Sequence, residues 1–165
     1  MLKLINIGEQ LFMKKIFLGA IFCLAIAAAS ASAQTISGSI GGGSVEKGKA
    51  ARGSVVMSIP GGLHVNSNRP NSQYAIATTV RVSGGRGFKV SGVTYPRGKN
   101  RKFSFSEDTL NVYEGRVSFP FTVTVPATYA GTSVRLTVTA RFQACTNEVC
   151  YAPKTVTKTI TAKVK

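Results

Sequence analysis

Two stretches in the second half of the chain alternate strictly between apolar and polar residues. Along residues 115–125, Val117, Phe119, Phe121, Val123 and Val125 are apolar, with Arg116, Ser118, Thr122 and Thr124 between them. Along residues 132–144, Val134, Leu136, Val138, Ala140, Phe142 and Ala144 share one face, and Arg135, Thr137, Thr139, Arg141 and Gln143 share the other. A period of two is that of a β-strand with one face in a core and one in water. Pro120 has no amide proton to give a ladder, so it marks an edge position or a bulge. Further β-rich runs cover residues 54–59, 63–65, 74–82, 88–95 and 155–164, separated by turn clusters such as Pro60-Gly61-Gly62 and Ser83-Gly84-Gly85. No helical periodicity or internal repeat follows residue 34. Strands at this spacing predict an all-β sandwich or barrel.

The N-terminus has a different texture. Met13-Lys14-Lys15 precedes the apolar run 16–29 and the small residues Ala31-Ser32-Ala33. A basic start, a short apolar core and an A-x-A site are the layout of a secretory signal. Residues 1–33 are expected to be a signal peptide cut before Gln34, with Met13 as an alternative start. Residues 34–54 are rich in Gly and Ser and read as a flexible lead-in. Residues 55–165 then form one domain. No second apolar run is long enough to span a membrane, so the mature chain is expected to be periplasmic or secreted, without a transmembrane segment, and monomeric.

The formal net charge is +15; the leader's Lys3, Lys14, Lys15 and Glu9 account for +2 of it, leaving +13. That excess fits attraction to an anionic partner, or simply a soluble basic surface. Nucleic acid is excluded as a partner: the chain has no Trp and no basic helix, and no aromatic stacking motif is present.

Cys145 and Cys150 are the only cysteines beyond the leader. An oxidising compartment permits a disulfide between them. As a staple it is weak, because closing so short a loop contributes roughly 2 kcal/mol by loop entropy. As a reactive pair it needs one accessible sulfur and one resolving sulfur. Continuing the strand's alternation puts Cys145 away from the core, on the face of Arg141, which would favour its thiolate, while Glu148 opposes this. Staple and reactive pair stay open on these grounds. Two cysteines and the single His64 fall short of a structural zinc site, so no metal or cofactor is expected. His64 lies in a turn-flanked run, Gly62-Leu63-His64-Val65-Asn66, and reads as structural or solvent-facing.

The stretch FQACTNEVCYAPKTVTKTI resembles the cysteine hairpin of the N-terminal periplasmic domain family of the thiol:disulfide interchange protein DsbD. Upstream, PGGLHVNSNRP and GVTYPRGKNRKFSFSEDTLNVYEGRVSFPFTVTV follow the same order of segments, so the resemblance covers roughly residues 55–165. It implies an immunoglobulin-like antiparallel β-sandwich whose cysteine pair, Cys145 and Cys150, carries electrons. It further implies a thioredoxin-like or membrane electron-transfer protein as donor and periplasmic thiol proteins as clients. In the family a cap loop bearing an aromatic residue shields the pair. Here residues 102–112 match it, with Phe103 and Phe105 as cap candidates and Glu107 and Asp108 as acidic neighbours able to tune thiol protonation. The expected activity is that of a stand-alone exchange domain. The alternative is a non-enzymatic immunoglobulin-like binding or scaffold domain with a structural disulfide.

Overall fold

The computed structural model describes residues 34–165, and the leader expected at residues 1–33 lies outside them. Twelve strands follow in order: β1 (Thr35–Ile40), β2 (Ser44–Val45), β3 (Ala50–Ser58), β4 (His64–Asn66), β5 (Thr79–Ser83), β6 (Lys89–Val90), β7 (Lys99–Lys102), β8 (Thr109–Tyr113), β9 (Arg116–Thr124), β10 (Ser133–Phe142), β11 (Ala144–Cys145) and β12 (Lys154–Val164). They build an immunoglobulin-like β-sandwich. One sheet has the order β1-β3-β9-β6 and the other β2-β12-β10-β5. A third, smaller sheet, β11-β4-β8-β7, carries the cysteine pair. All pairings between strands are antiparallel except that of β2 with β12.

The two alternating stretches are β9 and β10, one in each large sheet. Val117, Phe119, Phe121 and Val123 face Val134, Leu136, Val138, Ala140 and Phe142, and all are buried. Each large apolar side chain so buried contributes about 1.5–3 kcal/mol. Pro120 pairs in register with Ser54 of β3, and its carbonyl accepts from Thr94 N (2.8 Å) on the opposite side. Its ring therefore sits beyond the end of β6, on the side where no ladder bond is asked of it.

The lead-in expected at residues 34–54 is instead ordered structure. β1, a short 3-10 turn at Gly41–Gly43, β2 and the first half of β3 occupy it. Ile36, Ile40 and Val45 are core residues. The glycine content that reads as flexibility serves close packing. A Cβ on Gly38 would lie 2.9 Å from Ser54 O and 3.0 Å from Ile160 Cγ2. Other runs are shorter than expected: of residues 74–82 and 88–95, only the stretches assigned to β5 and β6 pair as strands. Residues 102–112, matched to the cap loop, lie within the β7–β8 hairpin, whose tip is at residues 103–108.

Gly53 stands opposite Phe121 in the β3–β9 ladder, and a Cβ there would lie only 2.3 Å from Phe121 Cζ. Gly53→Ala should therefore destabilise the fold by about 1–3 kcal/mol, measured by denaturant unfolding. Adding Phe121→Leu should recover part of the loss, because it removes the clash. An unchanged midpoint in Gly53→Ala would show that this packing is not what the structure depicts.

Candidate functional site

The chain changes sheets at Gln143. Up to Phe142, β10 pairs with β12; one residue after Gln143, Ala144 pairs with Val65 and Cys145 with His64, both on β4. Alternation persists through the change. Ala144, Val65 and Tyr113 belong to the main core. Cys145 takes the other face of the small sheet, as parity predicts, but that face is not open. The β7–β8 hairpin tip covers it, and Cys145 is fully buried. The expectation of an accessible Cys145 fails for this reason. Arg141 does not share its face, since it lies on β10 between Thr155 and Thr79.

Cys145 and Cys150 form a disulfide, with Cα atoms 4.0 Å apart. The loop between them is held by its own first residue. Thr146 N donates to Val149 O (2.8 Å), and Thr146 Oγ1 accepts from Glu148 N and Val149 N (3.1 Å each). Tyr151 N then donates to Ala144 O (2.8 Å), closing the hairpin. The two sulfurs differ in environment. Cys150 is exposed and lines a cleft of about 470 Å³ with Tyr74, Ala75, Phe105, Glu107 and Asp108.

The cap candidates meet here. Phe103 is buried and lies against His64, ring centroids 4.0 Å apart and planes 9° from parallel. Phe105 is offset beside it at 5.3 Å, half-exposed at the mouth of the cleft. Ser104 Oγ donates to Asn147 O (3.0 Å), which latches the hairpin tip to the cysteine loop. Within the tip, Asp108 N donates to Ser106 Oγ (3.2 Å), and Lys102 Nζ donates to Glu107 O. Glu107 and Asp108 are exposed on the cleft wall.

Behind the cleft, Gln143 and Asn66 form a polar hub. Gln143 Oε1 accepts from Asn66 Nδ2 (3.2 Å) and Ile76 N (3.4 Å), and Gln143 Nε2 donates to Tyr151 O (3.1 Å). This ties the residue at the sheet change to the loop carrying Tyr74 and to the residue after Cys150.

His64 is not solvent-facing. It is buried, stacked under the cap and directly across from Cys145. Burial pushes its pKa below the ordinary 6.5, against a smaller opposing influence from the Glu114 carboxylate. Sequence reasoning also misses a ring of exposed apolar side chains. Tyr74, Phe105, Val149 and Tyr151 are the exposed large hydrophobics among the described residues, and all lie around this cleft and cysteine loop. Their signal in the sequence is faint, because each sits in a loop with no period to betray it.

A family model described as the N-terminal domain of the thiol:disulfide interchange protein DsbD matches residues 43–162. The chain belongs to the DsbD N-terminal domain family. Among solved structures, it is similar to the N-terminal periplasmic domain of ScsB from Proteus mirabilis, at 10% identity and a TM-score of 0.49, covering 80% of this chain and 48% of that one. The chain thus spans about half of that structure's length. No curated protein matches it. The DsbD family match begins at residue 43, inside the segment that composition alone reads as a lead-in.

The lowered His64 pKa has a consequence for stability. Above about pH 6.5 His64 is neutral in both states and contributes no difference. As pH falls through 6.5, the unfolded chain takes up the proton first, so stability is lost down to the folded pKa and then levels off. Glu114, held below its ordinary 4.5 chiefly by Arg101, acts only in a more acidic window. Unfolding free energy should therefore fall between pH 7 and pH 5 in the wild type and stay flat in His64→Gln. Equal slopes in both proteins would rule this out.

Proposed function

We propose that the domain exchanges thiols and disulfides through Cys145 and Cys150, with Cys150 as the sulfur that partners attack and Cys145 as the sulfur that resolves. The observation that carries this reading is the asymmetry of the pair: Cys145 is buried, and Cys150 is an exposed residue that lines a cleft with apolar side chains around it. Exchange proceeds by in-line thiolate attack, so the accessible sulfur must be the one that enters the mixed disulfide. Exposed apolar patches mark protein contact sites. Family membership supports the same reading.

On this reading Phe103 and Phe105 are the cap. Phe103 stays seated on His64, and Phe105 shields the cleft until a partner displaces it. Glu107 and Asp108 place negative charge beside the cleft, which disfavours a free Cys150 thiolate. The donor is a thioredoxin-like or membrane electron-transfer protein, and the clients are periplasmic proteins carrying disulfides. Residues 1–33 act as an export leader, and the domain works in the periplasm. Among the described residues no helix is long and apolar enough to cross a membrane.

Single-cysteine variants separate the roles. Cys145→Ser leaves the Cys150 thiol, which should attack a thioredoxin-like protein whose single remaining cysteine carries thionitrobenzoate in disulfide linkage, releasing thionitrobenzoate and leaving a stable mixed disulfide. Cys150→Ser leaves the buried thiol and should react slower by at least about tenfold. Phe105→Ala in the Cys145→Ser background should speed the reaction further. Equal rates for the two single variants would contradict the assignment. A domain in which neither variant reacts, with lowered stability in both, would support a structural disulfide on a binding scaffold.

A further inference from the structure

His64 is the single histidine of the chain. It is 3% exposed, and its Nε2 is buried without a hydrogen-bond partner. The other buried side-chain atom without a partner among the described residues, Asn66 Oδ1, belongs to the same short strand. A buried polar atom with no partner costs free energy and calls for a reason. Both residues belong to the surroundings of the disulfide: Asn66 lines the cleft with Cys150, and His64 is the cross-strand partner of Cys145. Residues directly opposite on an antiparallel pair point to one side, with Cβ atoms about 4.5–5.5 Å apart. The imidazole is therefore a neighbour of the Cys145 sulfur.

A buried thiol is a poor nucleophile, because an apolar surrounding raises its pKa and the thiolate is the reacting form. A cysteine in that position needs an adjacent base. We propose that His64 is that base, taking the Cys145 thiol proton as Cys145 resolves the mixed disulfide. The inference rests on the exchange reading above.

A client disulfide has been attacked by the Cys150 thiolate, giving a Cys150–client disulfide and a client thiolate. The Cys145 Sγ proton passes to His64 Nε2. The Cys145 sulfur attacks Cys150 Sγ, the Cys145–Cys150 bond forms, and the Cys150–client bond breaks. The second client sulfur leaves as a thiolate and is protonated, the proton on His64 returning to solvent. The client is reduced by two electrons to a dithiol, and the domain is oxidised. In the reverse direction a donor dithiol attacks Cys150, and the departing Cys145 thiolate receives from His64 a proton that the imidazole has taken up from solvent.

The surroundings keep the imidazole available as a base. Phe103 from the hairpin tip stacks on it, Phe105 lies further off at 6.4 Å, and Cys145 of β11 stands opposite it in register. Tyr113 of β8 lies on the opposite face, in the main core. The Glu114 carboxylate beyond β8 favours the charged form, but it is engaged by Arg101 (2.9 Å) and Lys99 (3.4 Å). Desolvation outweighs it, so the ring is neutral near pH 7.

The test uses glutathione disulfide as the oxidant of the reduced protein, with the mixed disulfide followed by mass across the range in which histidine and cysteine titrate. His64→Gln should form the glutathione adduct at the wild-type rate and resolve it about 10²-fold more slowly at neutral pH. The deficit should shrink as pH rises and Cys145 ionises unaided. Resolution rates in His64→Gln that superimpose on the wild type at every pH would overturn the proposal. So would a deficit independent of pH, which marks a structural role. A second readout needs no variant. The lone imidazole can be followed by NMR in the wild type, and its titration should shift between the disulfide and the dithiol states. An identical titration in both states overturns the proposal as well. A wild-type protein that never forms the adduct overturns the exchange reading itself and this inference with it, whereas normal adduct formation with unaltered resolution in His64→Gln overturns this inference alone.

Discussion

At Gln143 a single strand leaves one sheet for another without losing its alternation. Residues up to Phe142 feed the sandwich core; Ala144 still does, and Cys145 turns to the far side of the small sheet. The site depends on this two-sidedness. One face of β4, β8 and β11 is anchored in the main core by Val65, Tyr113 and Ala144. The other carries His64 and Cys145 against Phe103, in a second apolar cluster built on Phe103, Leu110 and Val112. The sandwich thus holds Cys145 buried, and leaves Cys150 exposed at the end of a short loop. Gln143, freed from the β12 ladder at the change of sheets, spends its amide on Asn66, Ile76 and Tyr151, and so fixes both walls of the cleft.

Charge is distributed unevenly around this frame. The described chain is strongly basic, yet three of its five acidic residues, Glu107, Asp108 and Glu148, lie in the hairpin tip and the cysteine loop. Negative charge near a sulfur disfavours thiolate, and an aromatic lid excludes solvent oxidants. Both features slow adventitious chemistry at a dithiol.

Much of this was legible in the residues, and what was not has physical causes. The alternation of β9 and β10 gave two facing strands and the parity of Cys145. The cysteine spacing and its following Tyr151 and Pro153 gave the family. Phe103 and Phe105 were found through that family's cap, not through any period of their own. Residues 34–54 misled because glycine looks the same in composition whether it frees the backbone or lets Ile160 close on it, as at Gly38. Parity told which way Cys145 points but not that a hairpin tip lies there, since that cover comes from residues some forty positions away. His64 carried no signal at all: a lone histidine has no pattern, and its place at the site becomes visible only when register sets it across from Cys145.

The proposed exchange requires the Cys145–Cys150 disulfide to be a working redox couple. The most direct measurement is its reduction potential, obtained by equilibrating the protein with glutathione buffers and counting free thiols by alkylation and mass. A couple that passes electrons should lie between about −270 and about −180 mV, the span of known exchange proteins. A potential below about −300 mV, beyond the reach of the glutathione pool, would make the disulfide a staple and contradict the account.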